Sequence, residues 1–132
     1  YLLDTNICIY YFKGLYHLEN KIREVNISNC FISEITLAEL RFGAENSPRK
    51  EKLHKIVDEF QSIIQIIPIY SSIGVYAKEK ARLKKAKQLI DDFDLLIAST
   101  ALEYNMVMVT NNIKHFDRIT NLVIEDWRTI KI

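Results

Sequence analysis

Asp4, Glu39 and Asp94 are the acids best placed to act together, because solubility alone accounts for none of them. Asp4 follows the apolar pair Leu2-Leu3 directly, so a strand there delivers its carboxylate to the strand's carboxyl edge. On a 3.6-residue helix, Glu39 shares a face with Ile35, Ala38 and Phe42, and Asp94 shares one with Ile97, Ala98 and Ala101. An acid inside an apolar stripe must be paired, protonated or bound to a cation, since an isolated buried carboxylate is costly. Each also has a local explanation. Asp4 or Thr5 caps the helix that begins near Asn6, and Glu39 pairs with Arg41 or Lys50. Asp91 caps a helix whose third residue is Asp94, as in a capping box. Glu34 sits in a first turn and suits the helix dipole, while Asp91 and Asp92 serve capping and solvent. Taken together, the three acids form a set of hard oxygen donors without a His or Cys companion. That set suits Mg²⁺ or Mn²⁺ rather than Zn²⁺. Without a cation, mutual repulsion raises the carboxylate pKa values, and a divalent ion relieves it.

Such acids need a frame that brings distant residues together. Five short apolar runs at 1–3, 30–32, 65–67, 106–109 and 122–124 show no polar alternation and read as strands covered on both faces of a parallel sheet. Helical stretches lie between them at about 6–13, 17–26, 34–46, 49–63, 71–88 and 92–104. Ser33 before Glu34 and Ser47 before Pro48 read as N-caps. Alternating strand and helix implies an α/β fold with right-handed crossovers. Ligands of such open sheets gather at the carboxyl ends of the strands, where Asp4 falls.

The 132 residues favour one domain spanning 1–132. With 48% hydrophobic residues the chain can bury a core, and with three Gly and two Pro it lacks the turns of a β-sandwich. A net charge of +1, from 18 basic and 17 acidic residues, excludes a polycation that coats nucleic acid by charge alone. A local patch remains: Lys78, Lys80, Arg82, Lys84, Lys85 and Lys87 share a predicted helix with Glu79, and Lys80, Lys84 and Lys87 share one face. That run is a solvated surface or, leading straight into Asp91 to Asp94, a set of phosphate contacts. Cys8 and Cys30 lie in apolar surroundings without metal-ligand spacing and read as reduced, buried thiols of a cytoplasmic protein. No run of 18 apolar residues suggests a membrane span, and no charged leader opens the chain. The apolar segment Ile7 to Phe12 is wide enough to serve a subunit interface or partner groove as well as the core, and Tyr10 and Tyr11 could also stack on bases.

The ordered set Leu2-Leu3-Asp4-Thr5-Asn6, Ile35 to Gly43, Asp94 to Ala98 and Val109-Thr110-Asn111-Asn112 resembles a PIN domain. The closing Val123-Ile124-Glu125-Asp126-Trp127 looks like the end of a VapC-type toxin. The resemblance implies a three-layer α/β fold with a short, mostly parallel five-stranded sheet. It implies a metal-dependent endoribonuclease that hydrolyses the phosphodiesters of tRNA or other structured RNA, leaving a 5′-phosphate and a 3′-hydroxyl. By the same resemblance, Asp4, Glu39 and Asp94 are catalytic and hold one or two Mg²⁺ or Mn²⁺ ions. Thr5, Asn6, Thr110 and Asn112 are their polar neighbours, and Lys80, Arg82, Lys84 and Lys87 contact RNA phosphate. The implied partners are a VapB-like antitoxin and a second copy of the chain in a homodimer. Where relatives place a fourth acid this chain has Asn112 and His115, which puts a second metal ion in question. Asn112 can ligate through its carbonyl or orient a water, His115 can touch phosphate, and Asp117 faces solvent. The alternative is a catalytically weakened PIN module that binds RNA or a protein. A dehalogenase-like phosphotransferase is a distant third, because Asn6 stands where that chemistry needs a second Asp.

Overall fold

The computed structural model describes residues 1–128. Five strands form one sheet in the order β3-β2-β1-β4-β5: β1 is Leu2–Leu3, β2 Phe31–Ser33, β3 Gln65–Ile67, β4 Met108–Val109 and β5 Ile124–Glu125. Every pairing is parallel, with Leu2 opposite both Phe31 and Met108. The intervening helices are α1 (Thr5–Phe12), α2 (Leu18–Val25), α3 (Glu34–Glu45), α4 (Lys50–Gln61), α5 (Ile73–Lys85), α6 (Asp92–Glu103) and α7 (Ile113–Phe116).

The strands are covered on both faces, as their unbroken apolar runs predict. Consecutive strand residues point to opposite sides, so Leu3 and Val109 enter one core and Leu2 and Met108 the other. The first core gathers Ile7 and Cys8 of α1, Leu18 and Ile22 of α2, Leu40 of α3, and Val57 and Phe60 of α4. The second gathers Leu83 of α5, Leu95, Ile97, Ala98 and Ala101 of α6, and Phe116 of α7. Each fully buried Leu or Ile of these layers contributes about 1.5–3 kcal/mol.

The chain runs outward from β1 through β2 to β3, then returns to the other side of β1 for β4 and β5. The switch point therefore lies between β1 and β4, and the crevice beyond their carboxyl ends is where such sheets bind ligands. Asp4 follows β1 there and Thr110 follows β4; the Asp4 N–H donates to the Val109 carbonyl at 2.9 Å.

Several boundaries differ from the sequence reading. Ser33 caps α3, its hydroxyl accepting from the Ile35 N–H at 3.0 Å. Ser47 instead accepts from the Arg49 N–H within a turn, and α4 begins only at Lys50. A 3₁₀ turn at Tyr70–Ser72 occupies what sequence gives to the start of α5. That helix stops at Lys85, with Lys87 beyond it in a left-handed conformation (φ 56°). Among the described residues, no helix is long and apolar enough to cross a membrane.

Candidate active site

Asp4 is 5% exposed and uses both carboxylate oxygens. Oδ1 accepts from the Thr5 N–H at 2.8 Å and caps α1, while Oδ2 accepts from the Thr110 hydroxyl at 2.8 Å. Capping and convergence on β4 are thus both true of one residue. Burial raises the Asp4 carboxyl above its ordinary pKa, against the lowering effect of the Thr110 and Thr5 bonds.

The next residue reaches the second acid. Thr5 Oγ1 donates to Glu39 Oε1 at 2.6 Å and lies 3.2 Å from Thr36 Oγ1. Glu39 does not pair with Arg41 or Lys50: Arg41 engages Asp58 and the His54 carbonyl, and Lys50 engages Glu45. The apolar stripe Ile35, Ala38, Glu39 and Phe42 is not the buried face of α3. That face is Thr36, Leu40 and Ala44, and Phe42 is 70% exposed. Glu39 lies at the boundary, where burial raises its carboxyl, Thr5 lowers it, and Asp4 and Asp91 raise it again.

Asp94 stands in the first turn of α6, ahead of the buried Ile97, Ala98 and Ala101. Asp91 is the N-cap, its side chain accepting from the Phe93 N–H at 3.1 Å. The Asp94 carboxyl is pushed up to about 7, first by burial and then by Asp4, Asp91 and Glu39. Acids 35 and 55 residues apart in sequence therefore act on one another through space. Among the described residues, no three Asp, Glu, His or Cys side chains converge closely enough to enclose an ion in these positions. The chemistry of the donors nevertheless fits a hard divalent cation: oxygen ligands, partly desolvated, with Glu39 and Asp94 further destabilised by the negative charge of Asp4.

The supporting residues divide. Thr5 and Thr110 hold acids directly, and the Asn112 N–H donates to Thr110 Oγ1 at 3.1 Å. The Asn112 Nδ2 lies 2.9 Å from His115 Nδ1, which is 3.4 Å from Asp94 Oδ2. Placing His115 against Asp94 takes α7, a single turn whose four residues are too few to show a period. Asn6 is exposed at the start of α1, and Asp117 is exposed as anticipated. Of the basic residues, Lys80 reaches the start of α6, donating to Asp92 at 2.9 Å beside the Tyr76 hydroxyl. Arg82 pairs with Glu79 and donates to the Arg118 carbonyl, and Lys84 and Lys87 are exposed.

From Glu39 a cleft of about 370 Å³ runs between α1, α3 and α4. Ile9, Phe12, Leu40 and Leu53 line its apolar part, with Lys13 and Lys52 among its charged residues.

The PIN domain family model matches residues 1–122. Ribonuclease VapC2 of Rickettsia felis is 40% identical over 96% of this chain and 97% of its own length. This chain belongs to the VapC ribonucleases, a family of PIN domains. The tRNA(fMet)-specific endonuclease VapC of Salmonella typhimurium is 33% identical over 96% of this chain and 97% of its own. Two solved structures resemble the PIN domain described here. VapBC2 of Rickettsia felis bound to a promoter DNA fragment gives a TM-score of 0.89 at 38% identity, covering 96% of this chain and 98% of that one. DNA-bound VapBC of Salmonella typhimurium gives 0.90 at 34% identity, covering 96% of each chain. Within this VapC-family fold, the closing Glu125-Asp126-Trp127 is structural: Trp127 is buried, its Nε1–H donates to Glu125 at 3.0 Å, and its ring packs on Tyr1.

Proposed function

We propose that the chain, as one domain spanning 1–132, is a divalent-metal-dependent endoribonuclease toxin of the cytoplasm, acting on tRNA and neutralised by a VapB-like antitoxin. The observation that carries the reading is the gathering of Asp4, Glu39 and Asp94 at the switch point, where burial raises all three carboxyls and the charge of Asp4 raises Glu39 and Asp94 further. Asp4 and Asp94 would hold Mg²⁺ or Mn²⁺, with Glu39 completing the shell directly or through water. When bound, such an ion supplies an activated water and neutralises charge developing on phosphorus. Thr110 fixes the Asp4 carboxylate and Thr5 fixes Glu39, so neither must be ordered at the moment of reaction. Lys80, held at the start of α6 by Asp92, is the cation best placed to contact RNA phosphate. The tRNA assignment is supported by the name of the Salmonella typhimurium relative, an endonuclease specific for tRNA(fMet).

The partner reading is supported by the VapBC assemblies formed by structural relatives. We place the antitoxin segment in the α1–α3–α4 cleft, where an apolar strip meets the apolar wall and acidic residues meet Lys13 and Lys52. Because Glu39 lines the cleft, a chain seated there also covers that acid. Exposed Tyr70, Ile73 and Phe93 leave apolar surface for a second copy in a homodimer.

The test is cleavage of initiator tRNA transcribed in vitro, with 5′ ends mapped. Cutting that needs Mg²⁺ or Mn²⁺, stops with chelator and is lost in Asp4→Asn supports the reading. Cleavage that is indifferent to chelator overturns it.

A further inference from the structure

The loop between α1 and α2 holds two residues in a conformation that their side chains disfavour. Gly14 takes its left-handed φ of 70° freely, but Tyr16 (φ 59°) and His17 (φ 54°) carry a Cβ that crowds the backbone there. No side-chain bond caps α2 at His17 to offset that cost. Backbone bonds nevertheless fix the loop to α1, the Leu15 N–H donating to the Tyr10 carbonyl at 3.0 Å and the Gly14 N–H to the Tyr11 carbonyl at 3.1 Å. Backbone held this way on bulky residues gathers at ligand clamps.

What the strained pair delivers is the Tyr16 ring. It meets Tyr10 with centroids 5.2 Å apart and planes inclined by 77°, and the Arg128 guanidinium stands over it, 6.0 Å from the centroid. Asp126 orients that guanidinium, accepting from Nε at 3.1 Å and from Nη2 at 2.8 Å. Tyr16 still stays 40% exposed, beside a part-exposed Arg128. The cluster is anchored to the edge that carries the acids. The Tyr10 hydroxyl accepts from Asn111 Nδ2 at 3.2 Å, and Asn111 follows Thr110, whose hydroxyl holds Asp4. Tyr10 sits about 100° round α1 from Ile9, so these rings and the α1–α3–α4 cleft occupy different sides of that helix.

Sequence offers Tyr10 and Tyr11 for stacking on bases, and the structure redirects that role. Tyr10 is half-buried with its hydroxyl engaged, and Tyr11 packs on Phe12 and Phe60. The exposed ring beside a cation is Tyr16, which no periodicity marks because it lies in a loop. Unpaired RNA bases stack on such rings, and a neighbouring arginine favours the phosphate that follows.

We propose that Tyr16, with Arg128 beside it, forms a nucleotide subsite of this ribonuclease, where an unpaired base flanking the scissile phosphate stacks on the Tyr16 ring. The inference rests on the nuclease reading and adds to it a contact with a base, which the acids cannot make.

The test uses the full chain carrying Asp4→Asn, which leaves RNA uncut, and a short single-stranded oligoribonucleotide followed by fluorescence anisotropy. Y16F keeps the ring and should bind within about twofold of its Tyr16 parent, whereas Y16L should bind about 5- to 150-fold more weakly, the range for one base on an aromatic ring. Thermal unfolding should be unchanged in both. An abasic oligonucleotide keeps every phosphate and has nothing to stack, so Y16F and Y16L should bind it alike. Equal binding of the base-bearing RNA by both variants overturns the proposal. An equal loss by Y16L on both oligonucleotides also overturns it, since Tyr16 would then only support Arg128. A second readout needs neither variant: the Tyr16 ring proton signals should move on adding the base-bearing RNA and stay in place with the abasic one. Unmoved signals overturn the stacking contact. If the parent chain cuts no tRNA while those signals still move, the tRNA reading fails and the subsite stands. If it cuts tRNA and the signals stay, the subsite alone fails.

Discussion

The Thr5 hydroxyl donates to Glu39 Oε1 at 2.6 Å, tying the first residue of α1 to the middle of α3. One dipeptide, Asp4-Thr5, thereby contributes one candidate ligand and orients a second. Thr5→Val keeps the shape and removes the bond, so the Glu39 carboxyl should rise further and its orientation loosen. A roughly 10-fold loss of Mg²⁺-dependent cleavage is expected, the size of one charged hydrogen bond, with a higher Mg²⁺ concentration needed for half-maximal rate. Thr5→Ser should restore most of both.

Asp94 makes stability depend on pH in a definite direction. Its folded pKa of about 7 lies above the ordinary value of 3.8. Between those values the folded chain therefore holds a proton that the unfolded chain has lost. Stability must fall as pH rises through this window and level off above about 7. Urea unfolding in chelator should show a loss on the order of 1–3 kcal/mol between pH 5 and pH 8. Asp94→Asn should flatten that slope, and Mn²⁺ should restore the parent chain at pH 8.

Gly43 offers a way to block the cleft without disturbing the fold. A Cβ built there meets nothing within 4 Å, and the residue lines the cleft one turn from Glu39. Gly43→Leu should leave thermal unfolding within about 1 kcal/mol of the parent and weaken the antitoxin complex at least 10-fold by calorimetry. Unaltered affinity would place the antitoxin elsewhere.

The basic run divides into residues with different duties. Lys80 reaches the start of α6, whereas Arg82 turns to Glu79 and the Arg118 carbonyl. In an Asp4→Asn background, Lys80→Gln should lower the slope of log affinity for tRNA against log salt by about one phosphate contact. Arg82→Gln should leave that slope unchanged.

The sheet, its parallel sense and the acid at its edge were legible because Leu2-Leu3-Asp4 couples an apolar run to a carboxylate, and double burial leaves no alternation. Asp94 was legible for a similar reason, since its face carries Ala98 and Ala101, which only close packing explains. The buried side of α3 was misplaced, because Phe42 extends the apolar stripe by residue type while the helix buries Thr36 instead. A threonine that satisfies its hydroxyl inside a site counts as polar in any periodicity. Ser47-Pro48 carried a cap pattern but forms a turn, as the same hydroxyl serves either geometry equally well. The contact of His115 with Asp94 depends on the orientation of α7 against α6, and no spacing within four residues encodes it.

The central claim is that Asp4 and Asp94 jointly hold a divalent ion. Mn²⁺ binding followed by electron paramagnetic resonance tests it most directly, in the parent chain, Asp4→Asn and Asp94→Asn at pH 8, with each fold confirmed by thermal unfolding. The account predicts that the parent chain quenches the free Mn²⁺ signal and that each folded variant fails to do so at the same concentration. Equal quenching by all three would contradict it.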